Sequence, residues 1–135
     1  MSDLARIDEL VAAFFRAFDN RPGTTPSAFA MAELFVETAV ICQHRGDGYE
    51  LCSPLQFARP RAELLTNGTL SGFHEWEVES TTTVRGPLAT RVSRYAKTGS
   101  LNGAPYGGGG TKVFQLARLN GHWRILALSW FDHPD

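Results

Sequence analysis

The side chains able to move protons or bind metal are few, and their spacing excludes most familiar constellations. The chain has four histidines and two cysteines. His44 and His74 are thirty residues apart with no supporting ligand pattern near either, so no zinc or iron site is expected and no cofactor is implied. No Ser-His-Asp or Cys-His motif context is present. What remains is sparse. His44 carries an imidazole and can act as a base. Gln115 can donate a neutral hydrogen bond to a carbonyl oxygen. Tyr95, His74 and Trp76 can line or orient a ligand.

Each of these has an ordinary structural reading beside the chemical one. His44 lies at the edge of a polar turn, where an exposed hairpin histidine is as good a reading as a base. Gln115 can simply satisfy a neighbour within an apolar strand. His74 and Trp76 fit core packing on an edge strand. Glu75, Glu77 and Glu79 alternate as a solvated face does, with Arg91 or Arg94 as cross-strand partners. His122 and His133 flank a turn and the C-terminal end. Gly107–Gly110 precede a strand, not a helix, so they read as a mobile hairpin at a pocket mouth and not as a phosphate cradle. Cys42 and Cys52 are symmetric about Asp47, which leaves a cross-strand disulfide open beside the preferred reading of two free thiols.

The elements that must position these groups are legible from periodicity. Leu4, Ile7, Val11, Phe14 and Phe18 share one helical face, with Ser2 as cap and Asn20-Arg21-Pro22-Gly23 as stop. Thr25-Pro26 predicts a second helix running to about Phe35. Ala39–Gln43 and Tyr49–Cys52 predict a hairpin around Gly46-Asp47-Gly48. Ser53-Pro54 starts a third helix, which Pro60 should kink or divide and Asn67-Gly68 should end. From Phe73 the period becomes strand-like, with further strands at Leu88–Lys97, Thr111–Leu119 and His122–Phe131, the last two joined by Asn120-Gly121. A single domain over residues 1–135 is expected.

Composition narrows the function class. At 43% apolar and 20% charged, the chain reads as globular. A formal charge of −1 with scattered Lys and Arg gives no reason to expect nucleic acid or an anionic membrane. The lack of an export signal and the two cysteines predict a cytoplasmic protein. Val113–Ala117 and Ile125–Phe131 are apolar on both faces, so both need cover. A homodimer through the outer sheet face is the simplest supply.

The order helix, helix, hairpin, helix, four long strands resembles the nuclear transport factor 2-like (ketosteroid-isomerase-like, SnoaL-like) superfamily. Leu34-Phe35 before Ala39-Val40-Ile41, Gly86-Pro87-Leu88-Ala89, and Leu119-Asn120-Gly121-His122-Trp123-Arg124-Ile125 carry the resemblance. Phe73–Glu77, Ser93-Arg94-Tyr95 and Gly110-Thr111-Lys112 look most like its uncharacterised bacterial SnoaL-like branch. The resemblance implies an α+β fold, a cone-shaped, strongly curved antiparallel or mixed sheet packed on three helices around a pocket (a cystatin-like roll). It also places Phe15 where the isomerase has a catalytic tyrosine, Gln115 where it has an acidic donor, and Cys42 near the base, with His44 two residues on. The usual isomerase set is therefore replaced.

The reading is a protein that binds a small apolar ligand, with His44 and Gln115 as candidate catalytic groups. Phe15, Phe18, Cys42, His74, Trp76 and Tyr95 are the candidate pocket. Isomerase, cyclase and dehydratase activities fit this. The alternative is a non-catalytic small-molecule-binding or dimeric interaction module. Fold alone does not choose between them.

Overall fold

The computed structural model describes residues 1–134. Helix α1 (Asp3–Arg16) is capped by Ser2, whose hydroxyl accepts from the Ala5 amide at 3.1 Å. It buries Ile7, Leu10, Val11, Phe14 and Phe15, while Leu4 at the expected start of that stripe is exposed. Helix α2 is a short turn, Ala28–Ala32. The expected run to Phe35 fails because Phe35 already begins strand β1 (Phe35–Arg45). Strand β2 (Gly48–Cys52) returns, and helix α3 (Pro54–Thr66) follows with a full capping box between Ser53 and Gln56. Pro60 lies inside α3, yet the helix runs through it undivided.

Four long strands complete the chain: β3 (Leu70–Arg85), β4 (Leu88–Leu101), β5 (Ala104–Leu119) and β6 (His122–Asp132). The sheet order is β2-β1-β6-β5-β4-β3. Among the described residues only the β1–β6 pairing is parallel, so the fold is α+β with a six-stranded mixed sheet against helices. One sheet face takes the helices, with α1 crossing β3 and β6 while α3 packs on β1 and β3. The core centres on Phe14, whose ring makes edge contacts with Phe15, Phe18, Phe35 and Phe114 at centroid distances of 5.4, 5.4, 6.2 and 5.3 Å.

Asn20 is more than a helix stop. Its side-chain amide donates to the carbonyls of Leu65 (3.0 Å) and Leu70 (2.6 Å) and accepts from the Phe73 amide (2.7 Å). One side chain thus ties the end of α1 to the end of α3 and the start of β3.

Three register details redirect the sequence reading. Arg45 pairs with Gly48 across a two-residue turn, so Ile41 faces Cys52 and Cys42 faces Leu51. The two cysteines therefore sit on opposite faces of the hairpin and are free thiols. Gly107–Gly110 are not a mobile hairpin but part of β5, paired with Thr98 through Tyr95. And Glu75 and Glu77 face inward, while a bulge between Glu77 and Glu79 turns Glu79 out to pair with Arg94 at 3.3 Å.

Candidate functional site

Alternation along four strands puts charge where the core should be. In β5, Lys112 shares the parity of buried Phe114 and Leu116. In β6, Asp132 shares the parity of Trp130. In β4, Lys97 follows buried Tyr95, and in β3, Glu75 follows buried Phe73. These four charged residues meet because register aligns them. Glu75 pairs with Lys97, and Tyr95, Gly110 and Asp132 stand side by side across three strands. Gly110 makes that meeting feasible. A Cβ there would collide with the Tyr95 hydroxyl and the Phe131 carbonyl, so only glycine lets Tyr95 reach over β5 to Asp132.

The result is a cluster of linked ions beneath a cavity of about 730 Å³. Tyr95 donates its hydroxyl hydrogen to Asp132, and Lys97 bonds the other Asp132 oxygen at 3.1 Å. Burial alone would raise the Asp132 carboxyl, but the Tyr95 bond and the two nearby lysines hold it below its ordinary value. Burial, together with the bond to Asp132, pushes the Tyr95 phenol far above its usual range, so it keeps its proton. Lys112 is the least satisfied member. It is 3% exposed, with its Nζ 3.8 Å from Glu75, beyond hydrogen-bond reach. Its ammonium rests 4.1 Å from the Tyr95 ring centre and 4.7 Å from that of Trp130. Burial lowers its pKa, with Glu75 and Asp132 opposing incompletely.

The cavity spans the inner sheet face, α3 and the β1–β2 hairpin. Its lining is mixed. Phe18, Phe57, Leu64, Phe73 and Trp130 form apolar walls, whereas Arg45, Arg61, Lys97 and Lys112 face Glu50, Glu75 and Asp132. Among the described residues, no group of three His, Cys, Asp or Glu side chains is placed to hold a metal ion.

The sequence-chosen residues disperse. Phe18 lines the cavity and His44 stands exposed at its rim, its ring 6.1 Å from that of Tyr49. Gln115 is on the outer sheet face, where Thr90 donates to it at 3.2 Å, so His44 and Gln115 do not converge. His74 and Trp76 stack on each other at 4.5 Å on that same outer face, because inward parity belongs to Phe73 and Glu75. Cys42 has outward parity, and the cysteine at the cavity is Cys52. Phe15 is core, packed on Phe14. Tyr95 is buried behind Lys112. Sequence reasoning missed Glu75, Lys97, Lys112, Asp132 and Arg61. For the first four the signal was charge in phase with apolar neighbours on a strand, whereas Arg61 lies on helix α3.

No family model matches the chain, and no curated protein matches its sequence. Solved structures do match in shape. A protein from Novosphingobium aromaticivorans, provisionally assigned as an aromatic ring hydroxylase, superposes with a TM-score of 0.79 at 16% identity, covering 98% of this chain and 90% of that one. A second from the same organism, provisionally assigned as a scytalone dehydratase, gives 0.77 at 12% identity, covering 98% and 85%. A third, an NTF2-like protein with a cystatin-like fold, gives 0.73 at 20% identity, covering 96% and 81%. The chain thus adopts the NTF2-like, cystatin-like α+β fold. No helix among the described residues is long and apolar enough to cross a membrane.

Proposed function

We propose that the cavity is a small-molecule site of the SnoaL-like, ketosteroid-isomerase-like kind, in which Glu75 and Lys112 carry proton transfer next to a carbonyl group. One observation carries the reading: a buried lysine and a carboxylate 3.8 Å apart, bordering a cavity and only loosely paired. Glu75 takes a proton from the carbon beside the carbonyl. The Lys112 ammonium faces the oxygen on which negative charge then develops, in surroundings of low polarity where that interaction is strongest. Returning the proton to another carbon isomerises the substrate. Handing that proton instead to a hydroxyl on the next carbon, which leaves as water while the enolate collapses to a double bond, dehydrates it. Tyr95 and Asp132 hold the Lys112 environment rigid and take no proton from substrate. The solved structures assigned as hydroxylase and dehydratase support a small-molecule role without fixing the reaction.

The test is hydrogen–deuterium exchange at carbon, followed by proton NMR on aryl ketones such as 1-tetralone and on β-hydroxy ketones. Exchange above the buffer rate is expected, falling about a hundredfold or more in Glu75→Gln. Exchange that is absent throughout, or unchanged in Glu75→Gln, overturns the reading.

A second copy of this chain is the proposed cover for the outer sheet face. In support, one row across the sheet, Thr81, Val92, Val113, Ser129, Cys42 and Leu51, is in register and carries no charge. Val92, Val113 and Phe131 are exposed on that face. Sedimentation should give a dimer at micromolar concentration and a monomer for Val113→Asp. A wild-type monomer contradicts it. The free thiols Cys42 and Cys52 support a cytoplasmic setting.

A further inference from the structure

Among the described residues, two cavity cations have no carboxylate partner: exposed Arg45, which donates to Gln43 at 3.1 Å, and the half-buried Arg61. The Arg61 guanidinium lies 3.6 Å from the centre of the Phe57 ring, within the same helix α3. One N–H is spent on the Phe57 carbonyl at 3.1 Å. The carboxylates lining the cavity are otherwise engaged or distant. Asp132 holds Tyr95 and Lys97, Glu75 is the partner of Lys112, and Glu50 is exposed on β2. Among the described residues, no carboxylate lies within 4.0 Å of Arg61, whereas the buried Arg91 has two. Burial accordingly lowers the Arg61 pKa, the mark of a charge drawn from water without full compensation.

A guanidinium held over an aromatic ring, with most of its N–H fork free, is a built receptor for a planar anion. We propose that the ligand of this cavity carries a carboxylate, which Arg61 binds, at the opposite end from the group that meets Lys112. Arg61 and Lys112 both approach the Trp130 ring, at 5.9 and 4.7 Å from its centre, which puts both within reach of one mono- or bicyclic compound lying along that wall. This inference rests on reading the cavity as a small-molecule site and adds the substrate class: a cyclic keto or hydroxy acid in place of a wholly apolar compound.

The probes are 2-naphthoate and 2-naphthamide, alike in shape and differing in charge, titrated calorimetrically against the full chain. Wild type should bind the carboxylate at least about tenfold more tightly than the amide. Arg61→Met should erase that preference, Arg61→Lys should keep part of it, and Lys112→Met and Glu75→Gln should retain it. Circular dichroism checks that each variant is folded. If Arg61→Met does not fold, the Arg61→Lys titration and the wild-type comparison still decide. Equal affinity for the two probes in wild type overturns the proposal, as does failure of wild type to bind naphthoate at millimolar concentration. A full preference surviving in Arg61→Met or Arg61→Lys also overturns it. The acid–base reading fails differently, by lost exchange with binding and its carboxylate preference intact.

Discussion

Two buried cations sit on the inner face of the same sheet, and their surroundings differ in kind. Arg91 on β4 is saturated. It makes a two-pronged contact with Glu77 at 2.6 and 3.0 Å, bonds Asp8 of α1, and reaches Thr82 at 3.2 Å. Ser93 bonds one of the same Glu77 oxygens. Lys112 on β5, cross-strand partner of Ser93, has one carboxylate at 3.8 Å and three aromatic rings, those of Tyr95, Trp130 and Phe14. The first arrangement is a clasp from α1 to the sheet, with each charge answered. The second leaves a charge partly unanswered beside open space, which a protein retains at a cost when function requires it.

That contrast has measurable consequences. The largest is expected for Arg91→Met, which strands the Glu77 carboxylate and detaches Asp8. Chemical denaturation should show a loss of about 3–5 kcal/mol, the usual result of removing one partner from a buried pair. Lys112→Met should behave otherwise. Methionine fills similar volume among Tyr95, Trp130 and Phe14, and it removes a desolvated charge, so stability should move by about 1 kcal/mol or less in either direction. Carbon-bound exchange should nonetheless be abolished. Equal destabilisation by the two substitutions would break the comparison and make Lys112 a second clasp.

Much of the architecture was legible in the sequence, while the floor of the cavity was not. Ser53-Pro54 and Asn120-Gly121 act locally, through a cap and a two-residue turn, and both landed where expected. The ordered motifs pointed to the NTF2-like fold. Sidedness was the difficulty. The segment Phe73–Glu79 alternates cleanly, and its glutamates read as solvated because exposed carboxylates are common and buried ones rare. Which face is inward depends on Lys112 and Arg91, contributed by strands that pair only in the folded sheet. The bulge after Glu77, which sends Glu79 the other way, has no local signature. The glycine run misled for a related reason. Its last member, Gly110, admits the Tyr95 side chain from β4, a contact that no window of sequence contains. Arg61 on α3, one of many scattered basic residues in the sequence, gained meaning when Phe57 and the cavity came together around it.

The smallest expected effect separates the two cations by titration. Burial lowers the Lys112 pKa in the folded state from an ordinary value of 10.5. Between the folded and unfolded values, the unfolded chain binds the extra proton, so the Lys112 contribution to stability rises with pH through that window. The penalty of burying the charge is present in full below the folded value and gone above 10.5. The unfolded chain also loses protons from Tyr95 and Lys97 in alkali, but wild type and Lys112→Met share these losses, and they largely cancel in the difference. Wild type should therefore gain on Lys112→Met as pH rises toward that limit, measured by urea unfolding at stepped pH. Arg91 remains charged across the same range, so the gap between wild type and Arg91→Met should stay flat. A flat gap for Lys112→Met as well would mean that its ammonium is as well compensated as the guanidinium of Arg91, and the cavity floor would lose its claim to be a reactive site.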